Sequence, residues 1–444
     1  MNQPNIVLMI SHDSGRYLGT YGQKIATPAI DRLANRGIKF DRYYCPAPQC
    51  SPSRGSILTG RYPHNNGLIG LAHKGFSINE NITTLPKELV KAGYETTLIG
   101  FSHETIGHES LGTVSSTYQL GYERYEKVEG NLALTVAERA EAFLDEKASE
   151  GSKRPFFVNI GFEETHRPFD RYRACADKPE DIEPLPYLPD TKNVRQDIAL
   201  FHGSVKTMDR AVGRILRKIE QTALSKNTLI IYTTDHGIPF PRAKGTLKDA
   251  GLETALIIYS PQLSGNGREI NHLLCNIDLM PTLLELAGAQ IPPHLDGQSF
   301  APLLRGERQD TRQEFFCELT WHDAYHPMRG IRNETYKYVL NFVDGPKIYM
   351  PLDCHLSLSG QQVYRDYYVQ GDPEELYDLT QDPLETVNLF HQRDYQNIVA
   401  ELRKKVKEWM INTHDPLLKG PVKGIRSKKW AEEEKLGRTY QRDE

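Results

Sequence analysis

No apolar run in the 444-residue sequence approaches the roughly 20 residues that a membrane-spanning helix needs. Near the start the longest is Ile6–Ile10, which is also too short for a signal-peptide core and has no basic stretch before it. The reading is a protein without membrane association, cytoplasmic as given, or periplasmic or secreted if an export signal has been removed. Cysteine is scarce. The six residues Cys45, Cys50, Cys175, Cys275, Cys317 and Cys354 include no C-x-x-C pair, which excludes a disulfide scaffold at this length. A local bridge between Cys45 and Cys50 is the plain reading of the nearest pair. An excess of either charge is also missing: 54 Lys+Arg against 58 Asp+Glu leave a net charge of −4. That excludes a general nucleic-acid binder but not a small basic pocket for an anionic substrate. There is no internal repeat and no long low-complexity segment.

What is present is a globular composition, 39% hydrophobic and 25% charged, long enough for a large domain and a smaller companion. Continuous apolar runs at Asn5–Ser11, Glu95–Gly100, Pro155–Gly161, Thr228–Thr233 and Ala255–Tyr259 predict strands buried on both faces. Between them lie helical patterns. Thr27-Pro28 opens one that Gly37 stops, Leu85–Lys91 is another, and Ile198, Phe201, Val205, Met208, Val212, Ile215 and Ile219 step by three and four along a third. The expected class is α/β, a large mostly parallel sheet covered by helices on both faces, spanning residues 1–306. Beyond it, Glu314–Leu319, Met328–Arg332 and Tyr336–Phe342 read as strands without long intervening helices, followed by an amphipathic helix through Ile398, Leu402, Val406 and Trp409. Residues 307–444 are thus expected to form a smaller α+β domain with a charged tail.

Ligands of parallel sheets gather where strands end. After the first strand comes Ser11-His12-Asp13, and after Thr228–Thr233 comes Thr234-Asp235-His236-Gly237. Two carboxylates and two imidazoles at strand ends make a candidate site for one divalent metal, with His12, Asp13, Asp235 and His236 as ligands. His64, by contrast, reads as a solvated loop residue.

Between these clusters runs Cys50-Ser51-Pro52-Ser53-Arg54-Gly55-Ser56-Ile57-Leu58-Thr59-Gly60. It resembles the C-x-P-x-R-x-x-x-L-T-G signature of the type I, formylglycine-dependent sulfatases of the alkaline phosphatase superfamily, with every fixed position filled. The resemblance implies that a formylglycine-generating maturation enzyme converts Cys50 to an aldehyde. One hydroxyl of the hydrated aldehyde attacks sulfur, and the other expels sulfate as the aldehyde re-forms. It implies Arg54 beside the nucleophile, His103 and His166 after two other strands, and Lys244 as a basic residue facing the sulfate. It also implies an alkaline phosphatase-like fold and one divalent cation. Calcium is the family's ion, and the His-rich ligand set leans toward manganese or zinc. Gly237–Pro241, Glu318-Leu319-Thr320, His326–Arg329, Leu376–Leu379 and Thr413–Pro416 resemble the sulfamidase branch of the family.

Two positions depart from the pattern. His12 stands where the family opens with Asp, and Phe101 replaces the lysine of a Lys-x-His element that ends at His103. The expected partners are a small sulfated substrate, most simply a carbohydrate or glycosaminoglycan fragment, and the maturation enzyme; a homo-oligomer is compatible. The alternatives are a phosphonate monoester or phosphodiester hydrolase of the same superfamily and a non-catalytic glycan binder. His103 is assigned as the acid that protonates the leaving group, with His166 and Lys244 holding sulfate oxygens. Arg167, beside His166, is expected to keep that imidazole's pKa low.

Overall fold

The computed structural model describes residues 3–105, 119–149, 154–263, 267–308 and 310–424. The charged tail beyond residue 424 lies outside the described residues. The strands are β1 (Asn5–Ser11), β2 (Ile38–Phe40), β3 (Tyr43–Tyr44), β4 (Glu95–Gly100), β5 (Arg124–Glu126), β6 (Phe156–Gly161), β7 (Thr228–Thr234), β8 (Leu256–Tyr259), β9 (Arg268–Ile270), β10 (Leu274–Cys275), β11 (Glu314–Trp321), β12 (Tyr325–Asn333), β13 (Tyr336–Asn341) and β14 (Glu374–Asp378).

An eight-stranded sheet has the order β5-β4-β6-β1-β7-β8-β2-β9. Successive side chains of β1 point to opposite faces. Val7 and Met9 enter a core with Ile30, Val136, Val205 and Met208, and Ile6, Leu8 and Ile10 enter another with Ile57, Leu58, Leu89 and Leu283. The helices Pro28–Arg36, Ala133–Ser149 and Lys192–Glu220 therefore cover one face, and Cys50–Thr59, Leu85–Lys91 and Leu279–Leu286 cover the other. Burial on both sides is why these strands read as unbroken apolar runs. Among the described residues no helix is long and apolar enough to cross a membrane.

Register is what builds the site. β4, β6, β1 and β7 are mutually parallel, and Gly100 pairs with Gly161, Gly161 with Ile10 and Ile10 with Thr233. The loops that follow these strands consequently leave one edge of the sheet together. β8 departs from the parallel expectation, running antiparallel to both β7 and β2. A continuous apolar run reports burial and carries no information about direction. The three-residue strands β2, β5 and β9 are too short to show a pattern in sequence.

The second sheet is antiparallel, ordered β11-β12-β13-β14. The helix Gln396–Asn412 packs Val399, Leu402, Val406 and Trp409 into its core, and the Trp409 ring stacks on Phe316 with centroids 4.7 Å apart. Cys45 and Cys50 are separate free thiols, not a bridge: Cys45 lies against the Gly251 carbonyl, whereas Cys50 begins a helix and lies against Asp13 and His236. His64 is not solvated; it is buried edge-on to Trp409, with Nδ1 2.7 Å from Glu318 Oε1.

Arg329 of β12 is fully buried and grips Asp415 through two N–H groups, at 2.5 and 3.1 Å, with Glu318 at 3.4 Å. Removing the guanidinium strands two buried carboxylates, so Arg329→Leu is expected to cost about 3–5 kcal/mol. The urea midpoint at neutral pH measures it. The segment after β13 then returns to the large sheet, where Met350, Cys354 and Val363 join the core beneath β1.

Candidate active site

Asp13 sits immediately after β1 with φ of 51°, a left-handed conformation that costs a non-glycine residue about 1–2 kcal/mol. Its backbone N–H donates to Asp235 Oδ1 at 2.9 Å, joining the ends of β1 and β7. The loop after β6 is stitched to the same place: His12 N–H donates to the Glu164 carbonyl at 2.8 Å, and Thr165 N–H to the His12 carbonyl at 2.6 Å.

The helix Cys50–Thr59 brings in the thiol of the cysteine signature. Residues i, i+3 and i+4 share one helical face, which puts Cys50, Ser53 and Arg54 together. Ser53 Oγ donates to the Asp235 carbonyl and accepts from Asn276 Nδ2 at 2.8 Å. Arg54 Nε donates to Asp235 Oδ2 at 2.9 Å. The end of the motif serves the fold: Leu58 is core, and Gly60 closes the helix with φ of 63°. Cys50 therefore lies at the positive end of the helix dipole. Its Sγ is 3.5 Å from His236 Nε2 and 3.9 Å from Asp13 Oδ1.

Ligand atoms of His12, Asp13, Cys50, Asp235 and His236 lie within 4.8 Å of one another, all buried. His236 Nδ1–H donates to the Gly237 carbonyl at 3.0 Å, so Nε2 faces the cluster, 2.8 Å from Asp13 Oδ1. His12 Nδ1 is 2.5 Å from Asp13 Oδ1 and 3.6 Å from Asp235 Oδ2. Burial opposes charge throughout, but the neighbours overrule it. Asp13 is held well below the usual carboxylate range by His12, Lys244 and His236, and Asp235 is lowered by His12, His236 and Arg54. Against the same desolvation, Asp13, Cys50 and Asp235 raise His12 to about 10, and Asp235 and Asp13 raise His236 well above the usual imidazole value. Burial alone would push the Cys50 thiol up; His12 and Lys244 bring it down to about 5. The carboxylate and imidazole donors of this cluster suit one divalent cation.

The remaining expected residues converge on the same edge. Lys244 Nζ bridges Asp13 Oδ2 at 2.7 Å and Asp353 Oδ2 at 2.9 Å. His166 donates from Nδ1 to the Arg167 carbonyl at 2.6 Å, so its Nε2 points into the site, 3.8 Å from Asp353 Oδ2. His103 follows β4, with its ring centroid 6.3 Å from that of His12. Phe101 lies against the Arg54 guanidinium, 4.9 Å from its ring centroid, and edge-on to His12 at 4.8 Å. An aromatic pad therefore takes the place of the family's lysine.

Arg167 does not face His166. It forms a bidentate pair with Asp197 at 2.7 and 2.8 Å, clamped between Phe169 and Phe240. Burial and the Lys244 charge lower His166 instead. Two residues escaped sequence reasoning. Asp353, in the short helix Leu352–His355, lies 109 residues from its partner Lys244. His73, in the 3₁₀ turn Ala72–Lys74, has its Nδ1 2.9 Å from His103 Nε2. A lone Asp or His in a loop carries no spacing signal that would have found either.

Parallel strand ends that gather two carboxylates and four imidazoles, beside a buried lysine, a buried arginine and a thiol at a helix start, make a site suited to hydrolysing a bond to a tetrahedral anion. The Sulfatase family model matches residues 4–289, and the model described as N-sulphoglucosamine sulphohydrolase, C-terminal, matches residues 242–357. The chain belongs to the sulfatase family and is an enzyme that hydrolyses a sulfate ester or N-sulfate bond. It is 28% identical to the N-sulphoglucosamine sulphohydrolase of Homo sapiens across 94% of this chain and 92% of that one. It is 30% identical to an ulvan-active sulfatase of Formosa agariphila across 92% and 80%. A solved structure described as a complex with its substrate D-glucosamine-2-N,6-O-disulfate superposes with a TM-score of 0.71 at 20% identity, covering 95% of this chain and 99% of that one.

Proposed function

We propose that the enzyme removes sulfate from a sulfated sugar or glycosaminoglycan fragment, with Cys50 matured to formylglycine and one divalent cation held by Asp13, Asp235, His236 and His12. The observation that carries this reading is the position of Cys50, at a helix N-terminus and within 4 Å of both Asp13 and His236. The relatives named for N-sulphoglucosamine and ulvan, and the complex with a glucosamine disulfate, support a sugar. When bound, the cation supplies positive charge that acidifies the attacking hydroxyl and neutralises sulfate oxygens.

The chain's own residues divide the rest. Burial grades the site from a floor of Asp13, Cys50 and Asp235 to a mouth where the His166 side chain is 33% exposed. Arg54 Nη1 is a buried N–H group with no acceptor among the described residues, suited to an anion. Lys244 and His166 hold sulfate oxygens, and His103 donates the proton that the departing alkoxide or amine requires.

The test uses one sugar carrying either an activated aryl sulfate or a poorly leaving sulfate. His103→Ala is expected to slow the poor leaving group by about 10²–10⁴-fold and the aryl substrate far less. Equal losses for His103→Ala with a selective loss for His166→Ala would reverse the assignment. Glucosamine N-sulfate and glucosamine 6-O-sulfate offered side by side decide between S–N and S–O cleavage.

A further inference from the structure

The turn Ala72–Lys74 lies outside both strand-end clusters and outside the cysteine signature, yet each of its residues ties down a different wall of the site. Ala72 N–H donates to Ser51 Oγ at 2.9 Å, in the helix that starts at Cys50. Lys74 Nζ pairs with Asp323 Oδ1 at 3.0 Å, and the other oxygen of Asp323 accepts from Leu352 N–H at 2.7 Å, next to Asp353. His73, between them, meets His103.

The geometry of that meeting is specific. Nδ1 of His73 is 2.9 Å from Nε2 of His103, the ring planes are within 10° and the centroids are 5.2 Å apart. Ring nitrogens donate and accept in the plane of the ring, so the two imidazoles join edge to edge by a hydrogen bond. Such a bond does two things for His103. It fixes the rotation of a ring that also has Phe101 edge-on at 5.8 Å and His12 at 6.3 Å. It also sets which nitrogen of His103 carries the proton, as the partner of a catalytic imidazole commonly does. His103 is 8% exposed and His73 is half-buried on its outer side.

We propose that His73 is a positioning residue for the acid of the reaction: it holds the His103 ring in the orientation and tautomer needed to protonate the leaving group. The turn keeps this imidazole in register with the nucleophile helix on one side and with the segment bearing Asp353 on the other. The proposal rests on the reading of His103 as the acid, and the experiment separates the two.

The variants are His73→Ala, His73→Asn and His103→Ala. Asn places a hydrogen-bonding atom where Nδ1 of His73 lies, without the ring. Substrates are p-nitrophenyl sulfate and whichever of glucosamine N-sulfate or 6-O-sulfate the unmodified enzyme cleaves. Rates are expressed per aldehyde-bearing site in the monodisperse, cooperatively unfolding fraction, so loss of folded or matured protein does not enter. His73→Ala should lower kcat on the sugar by roughly 10–100-fold, with KM unchanged and the aryl rate within about threefold. His73→Asn should recover most of that loss. Equal losses on both substrates, a change confined to KM, or an Asn variant no better than Ala would overturn the proposal. If His103→Ala shows leaving-group selectivity and His73→Ala does not, only the positioning role fails. If His103→Ala is itself unselective, the acid assignment fails and takes this proposal with it.

Discussion

Cys50→Ala is expected to abolish turnover, by on the order of 10⁴-fold or more, because no other group in the site can form the bond to sulfur. Substrate affinity should survive largely intact, since Arg54, Lys244 and the imidazoles remain. In the unsubstituted enzyme, made in a host with the maturation machinery that oxidises the thiol, the tryptic peptide Tyr43–Arg54 should have lost one sulfur and two hydrogens and gained one oxygen, the composition of an aldehyde. That peptide contains its own control. Cys45 is buried against the Gly251 carbonyl, away from the cluster, and its thiol is pushed up by burial rather than down. Only Cys50 should change. A peptide with both thiols intact in fully active enzyme would refute the formylglycine mechanism.

Asp235→Ala should be nearly as damaging, for a different reason. Asp235 Oδ1 accepts the backbone N–H groups of Asp13 and His236, each at 2.9 Å, and Oδ2 accepts Arg54 Nε at the same distance. The substitution removes a metal donor and leaves a fully buried guanidinium without its counter-charge. The expected result is metal content near zero, a rate loss on the order of 10³-fold and about 3–5 kcal/mol of stability. Elemental analysis, turnover and urea unfolding read the three effects separately. Full metal occupancy at an undiminished rate would place the site elsewhere. The pH dependence has a definite sign. Burial raises Asp235, but His12, His236 and Arg54 bring it below the ordinary value of 3.8. Its contribution is therefore complete above the unfolded value and is lost as pH falls through the folded one. Asp235→Ala should cost most at neutral pH and progressively less in acid.

The fold and the site were legible to different depths, for physical reasons. The apolar runs became β1, β4, β6, β7 and β8 nearly residue for residue, and the three-four pattern became the helix Lys192–Glu220. Both signals are local: burial on two faces demands an unbroken apolar run, and burial on one helical face demands that period. The cysteine signature was legible through its family resemblance, and i, i+3 and i+4 spacing explains why Cys50, Ser53 and Arg54 share a helical face. His12, Asp13, Asp235 and His236 stood out because each pair directly follows a strand.

What sequence could not decide depends on how distant segments meet. The direction of β8 is set by its partners, not by its own residues. Arg167 turned to Asp197 rather than to the neighbouring His166, because a bidentate carboxylate between two phenyl rings was within reach. Phe101 could be seen as a lost lysine, but only packing shows it lying on Arg54. Asp353 and His73 carry no local mark, and they matter only because the chain returns from the second sheet and a three-residue turn docks against three walls. Sequence by itself marked His12, Asp13, Asp235 and His236, since each pair directly follows a buried strand, and the family resemblance of the cysteine signature pointed to Cys50, Arg54, His103, His166 and Lys244. Tertiary structure alone decided which groups meet that cluster from elsewhere, since hydrogen bonds such as His73–His103, 30 residues apart, and Lys244–Asp353, 109 apart, exist only once parallel strands have fallen into register.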